Sequence, residues 1–202
     1  MDVFLSSDQL NRLVNEISTK PKPDYKGGVE HKVFFTKRYP DKLFKVGPKK
    51  YIDRWFDIFK NNPSIFPKVF DRRQLKGNDW KRFASYFDDV QDVPYDYVLL
   101  EKLNTEDFEK FWLDLDNALV YIVDEDDLDD IDLEEISFKY PEHRKVWKDF
   151  LDFLKEKKPK LYPRAVELHE IVKKLHEVKE FPDIHMFQFG FDYSGRIRAL
   201  DI

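Results

Sequence analysis

Two acidic residues near the C-terminus, Asp183 and Asp201, bracket a short apolar and aromatic segment with a turn at its centre. The turn YSG separates two short runs of β-type residues, so we expect this segment to fold into a β-hairpin. A hairpin can bring its two ends together although they lie far apart in the chain. Acids placed in this way can orient a hydroxyl group for attack and hold a magnesium ion.

Three features earlier in the chain would supply the remaining parts of a phosphoryl-transfer site, which needs a cover over the phosphates of ATP and a cation on them. Gly27 and Gly28 precede the first predicted strand, where backbone can approach a ligand closely. Lys45 lies within the second strand, between apolar residues that would fix its direction. Asp53 lies on the following helix and is predicted to pair with Lys45. This order indicates chemistry that depends on ATP and magnesium.

The elements that must position these residues follow from the hydrophobic pattern. Helical spacing predicts an N-terminal helix in SSDQLNRLVNEI and a second helix over residues 49–60. Short β-type runs predict a hairpin from HKVFFTK and KLFKVG, and strands in KVFDRRQL and YDYVLLEKL. WKRFASYFDDV fits either a helix or a strand.

From residue 104 onward the pattern becomes mostly helical. Helices are predicted in TEDFEKFWLDLDNALVYI, with Thr105 as its cap, in PEHRKVWKDFLDFLKEK and in YPRAVELHEIVKKLHEVKE. The predicted fold is therefore α+β, with a sheet and one helix first, helices next and a hairpin last. We expect an N-terminal helix and linker over 1–24, a sheet domain over 25–103 and a helical part over 104–202.

Charge is segregated along the chain, whose net charge is −5. The segment 124–135, DEDDLDDIDLEE, holds 9 acids and no base. Such a block predicts a solvated acidic loop, with docking onto a basic partner as the alternative. Basic residues are not dense enough to predict a nucleic-acid partner.

Composition bounds the class of protein further. The chain has no cysteine, which excludes disulfides, thiol catalysis and cysteine-ligated zinc and is typical of cytoplasmic proteins. No apolar run approaches the roughly 18–20 residues that cross a membrane. The N-terminus lacks the basic and apolar regions of a signal peptide, so none is expected. His169 and His176 lie seven residues apart, which does not match a zinc-binding pair on one helical face.

The order of these features resembles the protein-kinase-like fold, including its small-molecule phosphotransferase branch. The closing sequence PDIHMFQFGFDYSGRIRALDI is similar to that family's catalytic loop, written D-x-H-x-x-N in aminoglycoside phosphotransferases, followed by a hairpin and the magnesium-binding aspartate. The resemblance implies two lobes: a β-rich N-lobe with one helix and a reduced helical C-lobe ending in the hairpin 182–202. The small early kinases of podoviruses show a comparable abbreviated layout, which implies a phage protein acting in the host cytoplasm.

The resemblance assigns the residues of the closing sequence to catalysis and metal binding. Asp183 matches the catalytic acid and His185 the loop histidine. Gln188 stands where the family has a metal-binding asparagine, and Asp201 matches the metal-chelating aspartate. The implied cofactors are therefore ATP and Mg²⁺.

The resemblance also assigns residues of the sheet domain to the nucleotide. Lys45 matches the ATP lysine, and Asp53 matches the helix glutamate that pairs with it. In VLLEKLN, Leu100 resembles the residue that gates the nucleotide site. Glu101 and Leu103 would then offer backbone groups to adenine.

The implied function is an ATP- and magnesium-dependent phosphotransferase, in first place a serine/threonine protein kinase. The alternative is a binding module similar to pseudokinases, acting as an inhibitor, an antitoxin or an anti-host factor of a phage through the acidic segment or the reduced C-lobe. Gln188 in place of asparagine, and a sequence ending at Ile202 where the family continues, favour the alternative. Retention of the lysine and of both acids favours the enzyme. A small-molecule kinase is a third reading, disfavoured by the missing later helices.

Overall fold

The computed structural model describes residues 6–18, 25–26, 32–75, 83, 93–121, 141–178 and 186–200. Within them the protein has an α+β fold, and the chain divides into two compact units. Unit 1 comprises residues 1–63 and 67–102, and unit 2 comprises 64–66 and 103–202. No helix in the described part of the chain is both long and apolar enough to cross a membrane.

Unit 1 is built on a five-stranded antiparallel sheet. Its strands are β1 (Tyr25–Lys26), β2 (Lys32–Phe35), β3 (Lys42–Pro48), β4 (Val69–Gln74) and β5 (Tyr95–Glu101). They lie in the order β1-β2-β3-β5-β4, so β5 is inserted between β3 and β4. The predicted hairpin is confirmed as the pair β2 and β3, whose turn is closed by a 3.0 Å hydrogen bond from the Lys42 N–H to the Tyr39 carbonyl.

Two helices of unit 1 pack on opposite faces of this sheet, and both were predicted. They are α1 (Ser7–Ser18) and α2 (Lys49–Asn61). Leu13 of α1 joins an apolar cluster with side chains from the sheet, which are Phe34, Phe44, Val46, Tyr95, Tyr97 and Leu99, together with Leu75 and Phe83. Helix α2 buries Ile52, Trp55 and Phe59, which recur at helical spacing, and contacts β3, β5 and β4. Since side chains alternate along a strand, Lys45 points away from the cluster and toward α2.

Unit 2 consists mainly of helices and a hairpin. Its elements are α3 (Thr105–Leu119), α4 (Pro141–Lys157), α5 (Tyr162–Val178), a 3₁₀ helix (Met186–Gln188), β6 (Phe189–Phe191) and β7 (Ile197–Ala199). The closing hairpin is confirmed as β6 paired with β7, although residues 186–188 form a 3₁₀ turn and not the start of the strand. Aromatic rings join α3 to this hairpin, because Phe108 packs on Phe189 and Phe191.

The three residues 64–66, which lie between α2 and β4 in the sequence, belong to unit 2. Ile65 and Phe66 are buried. The Ala199 N–H donates to the Ile65 carbonyl at 2.8 Å, and Arg198 Nη1 donates to the Ser64 carbonyl at 2.7 Å. Strand β7 is thereby hydrogen-bonded on a second side.

The cap of α3 differs from the prediction. Asn104, and not Thr105, occupies the cap position, and its side-chain oxygen accepts a 3.1 Å hydrogen bond from the Asp107 N–H. An asparagine amide can satisfy an exposed N–H of the first helical turn as well as a threonine hydroxyl can. The helix therefore begins at Thr105.

Gly190 lies where the backbone of β6 meets the start of α3. A Cβ at this position would come within 2.7 Å of the Leu103 Cβ. Two hydrogen bonds between Asn104 and Phe191, of 2.8 and 3.1 Å, hold the two backbones together. We expect Gly190→Ala to destabilise unit 2 by about 1–3 kcal/mol, because overpacking forces shifts in well-ordered structure. A lower urea midpoint would show this.

Gly195 on the same hairpin provides the matched control. Its φ of 77° is left-handed, a conformation that asparagine tolerates, and the nearest atom to an added Cβ is the flexible end of Arg164. Gly195→Asn should therefore destabilise the protein by at most about 1 kcal/mol, less than Gly190→Ala does. An unchanged midpoint for Gly190→Ala would contradict the steric argument.

Candidate functional site

Lys45 lies on β3, the central strand of the sheet of unit 1, so the prediction that it lies within a strand is confirmed. It lies opposite Val33 of β2 and Val98 of β5. The residue is only 3% exposed, and its Nζ lies 4.2 Å from the centroid of the Trp55 ring. Lysine is rarely buried to this degree, because desolvating its charge is costly. The face of an aromatic ring offsets part of that cost.

Asp53 does not form the predicted ion pair with Lys45. Its carboxylate accepts hydrogen bonds from Lys49, one turn earlier on α2, at 2.9 and 2.6 Å, and a further one from Arg72 Nη2 of β4. The hydrogen bond from Lys49, and then that from Arg72, lower the pKa of Asp53. The prediction of a pair with Lys45 is wrong because the short aspartate side chain is engaged by these two cations.

Arg72 links α2 to the sheet through a second acid. Its Nε and Nη2 donate to Oδ2 of Asp96 on β5, at 3.2 and 2.8 Å. The Asp96 side chain is only 4% exposed. The guanidinium also lies 4.7 Å from the centroid of the Phe56 ring of α2. One arginine therefore joins a buried acid of the sheet to an acid and a ring of the helix.

This network was not predicted from the sequence, although the sequence contains one signal for it. Asp96 stands alone in the otherwise apolar and aromatic strand YDYVLL. A lone acid in a buried strand requires a basic partner, since a buried charge is otherwise very costly. Strand β4 offers two arginines, and its register with β5 places Arg72, opposite Val98, on the same face of the sheet as Asp96.

The residues expected to contact adenine lie near the end of β5. Leu100 is buried opposite Leu43 of β3. The Glu101 N–H donates to the Lys68 carbonyl at 2.9 Å, so any contact from Glu101 to adenine would use its carbonyl. Leu103 belongs to unit 2, where its side chain is buried.

In unit 2 the described part of the predicted metal site is Gln188. The main-chain carbonyl of Gln188 accepts a 2.6 Å hydrogen bond from the N–H of Leu200, the residue that precedes Asp201. The two ends of the β6–β7 hairpin are therefore joined at Gln188. Several predicted features lie outside the described residues, namely Gly27, Gly28, Asp183, His185, Asp201 and the acidic segment 124–135.

A buried acid on the hairpin, Asp192, was not singled out from the sequence. Its carboxylate accepts hydrogen bonds from Ser194 N–H and Oγ at 2.9 and 2.7 Å, and from Arg196 N–H at 2.8 Å. Arg198 Nη2 lies 3.0 Å away. Burial acts to raise the pKa of Asp192, but the hydrogen bonds and the two arginines together lower it. The acid followed two residues later by serine is a turn signal that could have identified it.

The described residues contain no group of three or more side chains with metal-ligating chemistry. Comparison with known proteins adds no assignment. No protein-family model matches the chain, and neither a curated protein nor a solved structure matches it. The chemistry of the site is therefore argued from the residues themselves.

Proposed function

We propose that this protein is an ATP- and magnesium-dependent phosphotransferase of the protein-kinase-like type, acting on serine or threonine of a protein. The observation that carries the proposal is the burial of Lys45 on the central strand β3. Helix α2 follows that strand directly and packs on the face of the sheet toward which Lys45 points. In protein kinases the nucleotide lysine lies on the third strand, and a helix supplies the neighbouring acid. A lysine so costly to bury suits a role in ligand binding.

Each part of the reaction is proposed for a named residue. Lys45 would hold the α- and β-phosphates, Asp183 would orient the attacking hydroxyl, and Gln188 with Asp201 would hold magnesium. Amide and carboxylate oxygens are hard ligands of the kind that Mg²⁺ prefers, so the donor set fits the metal. The hydrogen bond between Gln188 and Leu200 supports this pairing, because it holds the two contributing segments together. When bound, magnesium neutralises charge on the phosphates.

A second candidate is a nucleotide-binding or purely protein-binding module similar to pseudokinases. Two observations favour it: Asp53 is engaged by Lys49 and Arg72, and the ring of Trp55 covers Lys45. Such a module would act as an inhibitor, an antitoxin or a phage anti-host factor, through segment 124–135 or its helical unit. It would require no transfer of phosphate.

The decisive experiment incubates the pure protein with Mg²⁺ and labelled ATP, alone and with cell lysate, beside Asp183→Ala and Asp201→Ala. We expect label on protein with the wild type and none with either variant. A nucleotide-dependent thermal shift without transfer would favour the second candidate in its nucleotide-binding form. Neither transfer nor shift in the wild type would overturn the phosphotransferase.

Lys45→Met should weaken the binding of Mg-ATP by roughly tenfold or more, which corresponds to the loss of a charge-assisted hydrogen bond. Methionine keeps the apolar stem against Trp55, so the fold should be retained. Thermal shifts at graded Mg-ATP concentrations measure the affinity. Lys42→Met is the control: Lys42 lies on the same strand, contacts Tyr39 and Phe70, and pairs with Asp41. Equal affinity of the Lys45 variant and the wild type would contradict the assignment.

A further inference from the structure

On the α2 side of the sheet, Lys45 contacts an aromatic ring, that of Trp55. Trp55 is 8% exposed, Lys45 is 3% exposed, and the Nζ lies 4.2 Å from the ring centroid. A cation in contact with the face of a tryptophan is held more strongly when both groups are removed from water. Trp55 is the second of the three buried residues of α2, between Ile52 and Phe59.

We propose that Trp55 positions Lys45 for the nucleotide, in place of an acid on α2. The inference rests on the proposed function, because it names how the lysine of that site is held. The carboxylate of Asp53 is committed to Lys49 and Arg72 and so is not the group that orients Lys45. Trp55 is a positioning residue: it acts on the nucleotide only through the lysine.

The face of the ring, and not its N–H group, makes this contact. The indole N–H of Trp55 is buried and has no hydrogen-bond partner among the described residues. The ring packs against Phe59, one turn later on α2, with centroids 3.7 Å apart. A phenylalanine at position 55 would keep an aromatic face toward Lys45, whereas a leucine would remove it.

Helix α2 itself is held against the sheet by the network of Asp53, Arg72 and Asp96. Asp53 therefore affects Lys45 only indirectly, because it fixes the helix that carries the Trp55 ring. Its carboxylate is partly exposed and shares Arg72 with Asp96, so losing its charge leaves Arg72 paired with Asp96. Asp53→Asn should consequently affect the nucleotide less than loss of the ring does.

The test compares Trp55→Phe, Trp55→Leu, Phe59→Leu and Asp53→Asn with the wild type. The first readout is acylation of Lys45 by an amine-specific reagent without nucleotide, located by mass spectrometry. We expect Trp55→Leu to change the rate of labelling at Lys45 by at least threefold, with Trp55→Phe near the wild type. Phe59→Leu removes a buried ring of the same helix and controls for loss of packing alone. Equal labelling of Lys45 in Trp55→Leu and the wild type would overturn the inference.

The second readout is the affinity for Mg-ATP, from thermal shifts and from protection of Lys45 against acylation. We expect Trp55→Leu to bind Mg-ATP about tenfold more weakly than the wild type. The affinities of Trp55→Phe, Phe59→Leu and Asp53→Asn should each stay within threefold of the wild type. A larger loss in Asp53→Asn or in Phe59→Leu than in Trp55→Leu would overturn the role of the ring. A wild type that shows no effect of nucleotide would overturn the proposed function instead, and the labelling without nucleotide would still decide whether Trp55 holds Lys45.

Discussion

Replacing Arg72 by methionine is expected to destabilise unit 1 by roughly 3–5 kcal/mol, the usual effect of leaving a buried acid without its partner. Arg72 makes both of its contacts to Asp96 through Oδ2, and Oδ1 of Asp96 has no partner among the described residues. The remaining carboxylate would therefore lose every hydrogen bond described for it. Urea unfolding would show the loss of stability, and hydrogen exchange of peptides from α2 and β5 would locate it in unit 1.

A double-mutant cycle separates lost pairing from a general loss of packing. Adding Asp96→Asn to Arg72→Met should recover part of the stability, because it removes the charge that the first substitution leaves uncompensated. Lys110→Met provides a surface control, since Lys110 and Asp107 form an exposed pair one helical turn apart. That control should stay within about 0.5 kcal/mol of the wild type. Additive effects of the two substitutions at Arg72 and Asp96 would contradict the network.

Asp192→Asn is expected to destabilise unit 2 at neutral pH by about 3 kcal/mol, because the Asp192 side chain is 3% exposed and pairs with Arg198, whose side chain is 7% exposed. An amide at this position could not neutralise the positive charge of Arg198. The hydrogen bonds to Ser194 and Arg196 that organise the turn would also weaken.

The same substitution should make the free energy of unfolding depend less on pH in the acid range. Folding lowers the pKa of Asp192 below its ordinary value of 3.8. Its contribution is therefore complete above about pH 4 and is lost as the pH falls through the lower pKa of the folded state. Urea midpoints of the two proteins should converge between pH 7 and pH 2.5. Parallel curves would contradict this account, and Asp114→Asn, at an exposed position of α3, should leave the stability at acid pH nearly unchanged.

The sequence alone determined most of the local structure. The apolar residues Ile52, Trp55 and Phe59 recur at helical spacing, which predicts α2 because only one face of a helix can be buried against a sheet. Strand β3 was predicted because it is short, largely apolar and bounded by turn residues. The placement of Lys45 within that strand follows from the same pattern.

Local patterns were less informative about which of several neighbouring polar residues takes a given position. Asn104 and Thr105 are adjacent and both can cap a helix, so spacing did not decide which one does so. Residues 186–188 carry strand-type side chains but form a 3₁₀ turn, since the β6–β7 ladder begins only at Phe189.

The tertiary structure decided how the charged residues are paired. Hydrophobic periodicity reports which face of an element is buried, but it does not say which charge from a distant strand will meet that face. Arg72 reaches both Asp96 and Asp53 only because β4 lies beside β5, an arrangement that no local pattern encodes. The same packing of α2 places the Trp55 ring, and not the Asp53 carboxylate, against Lys45. The sequence thus determined that a lysine would lie within this strand, and the long-range contacts determined that it is buried against Trp55.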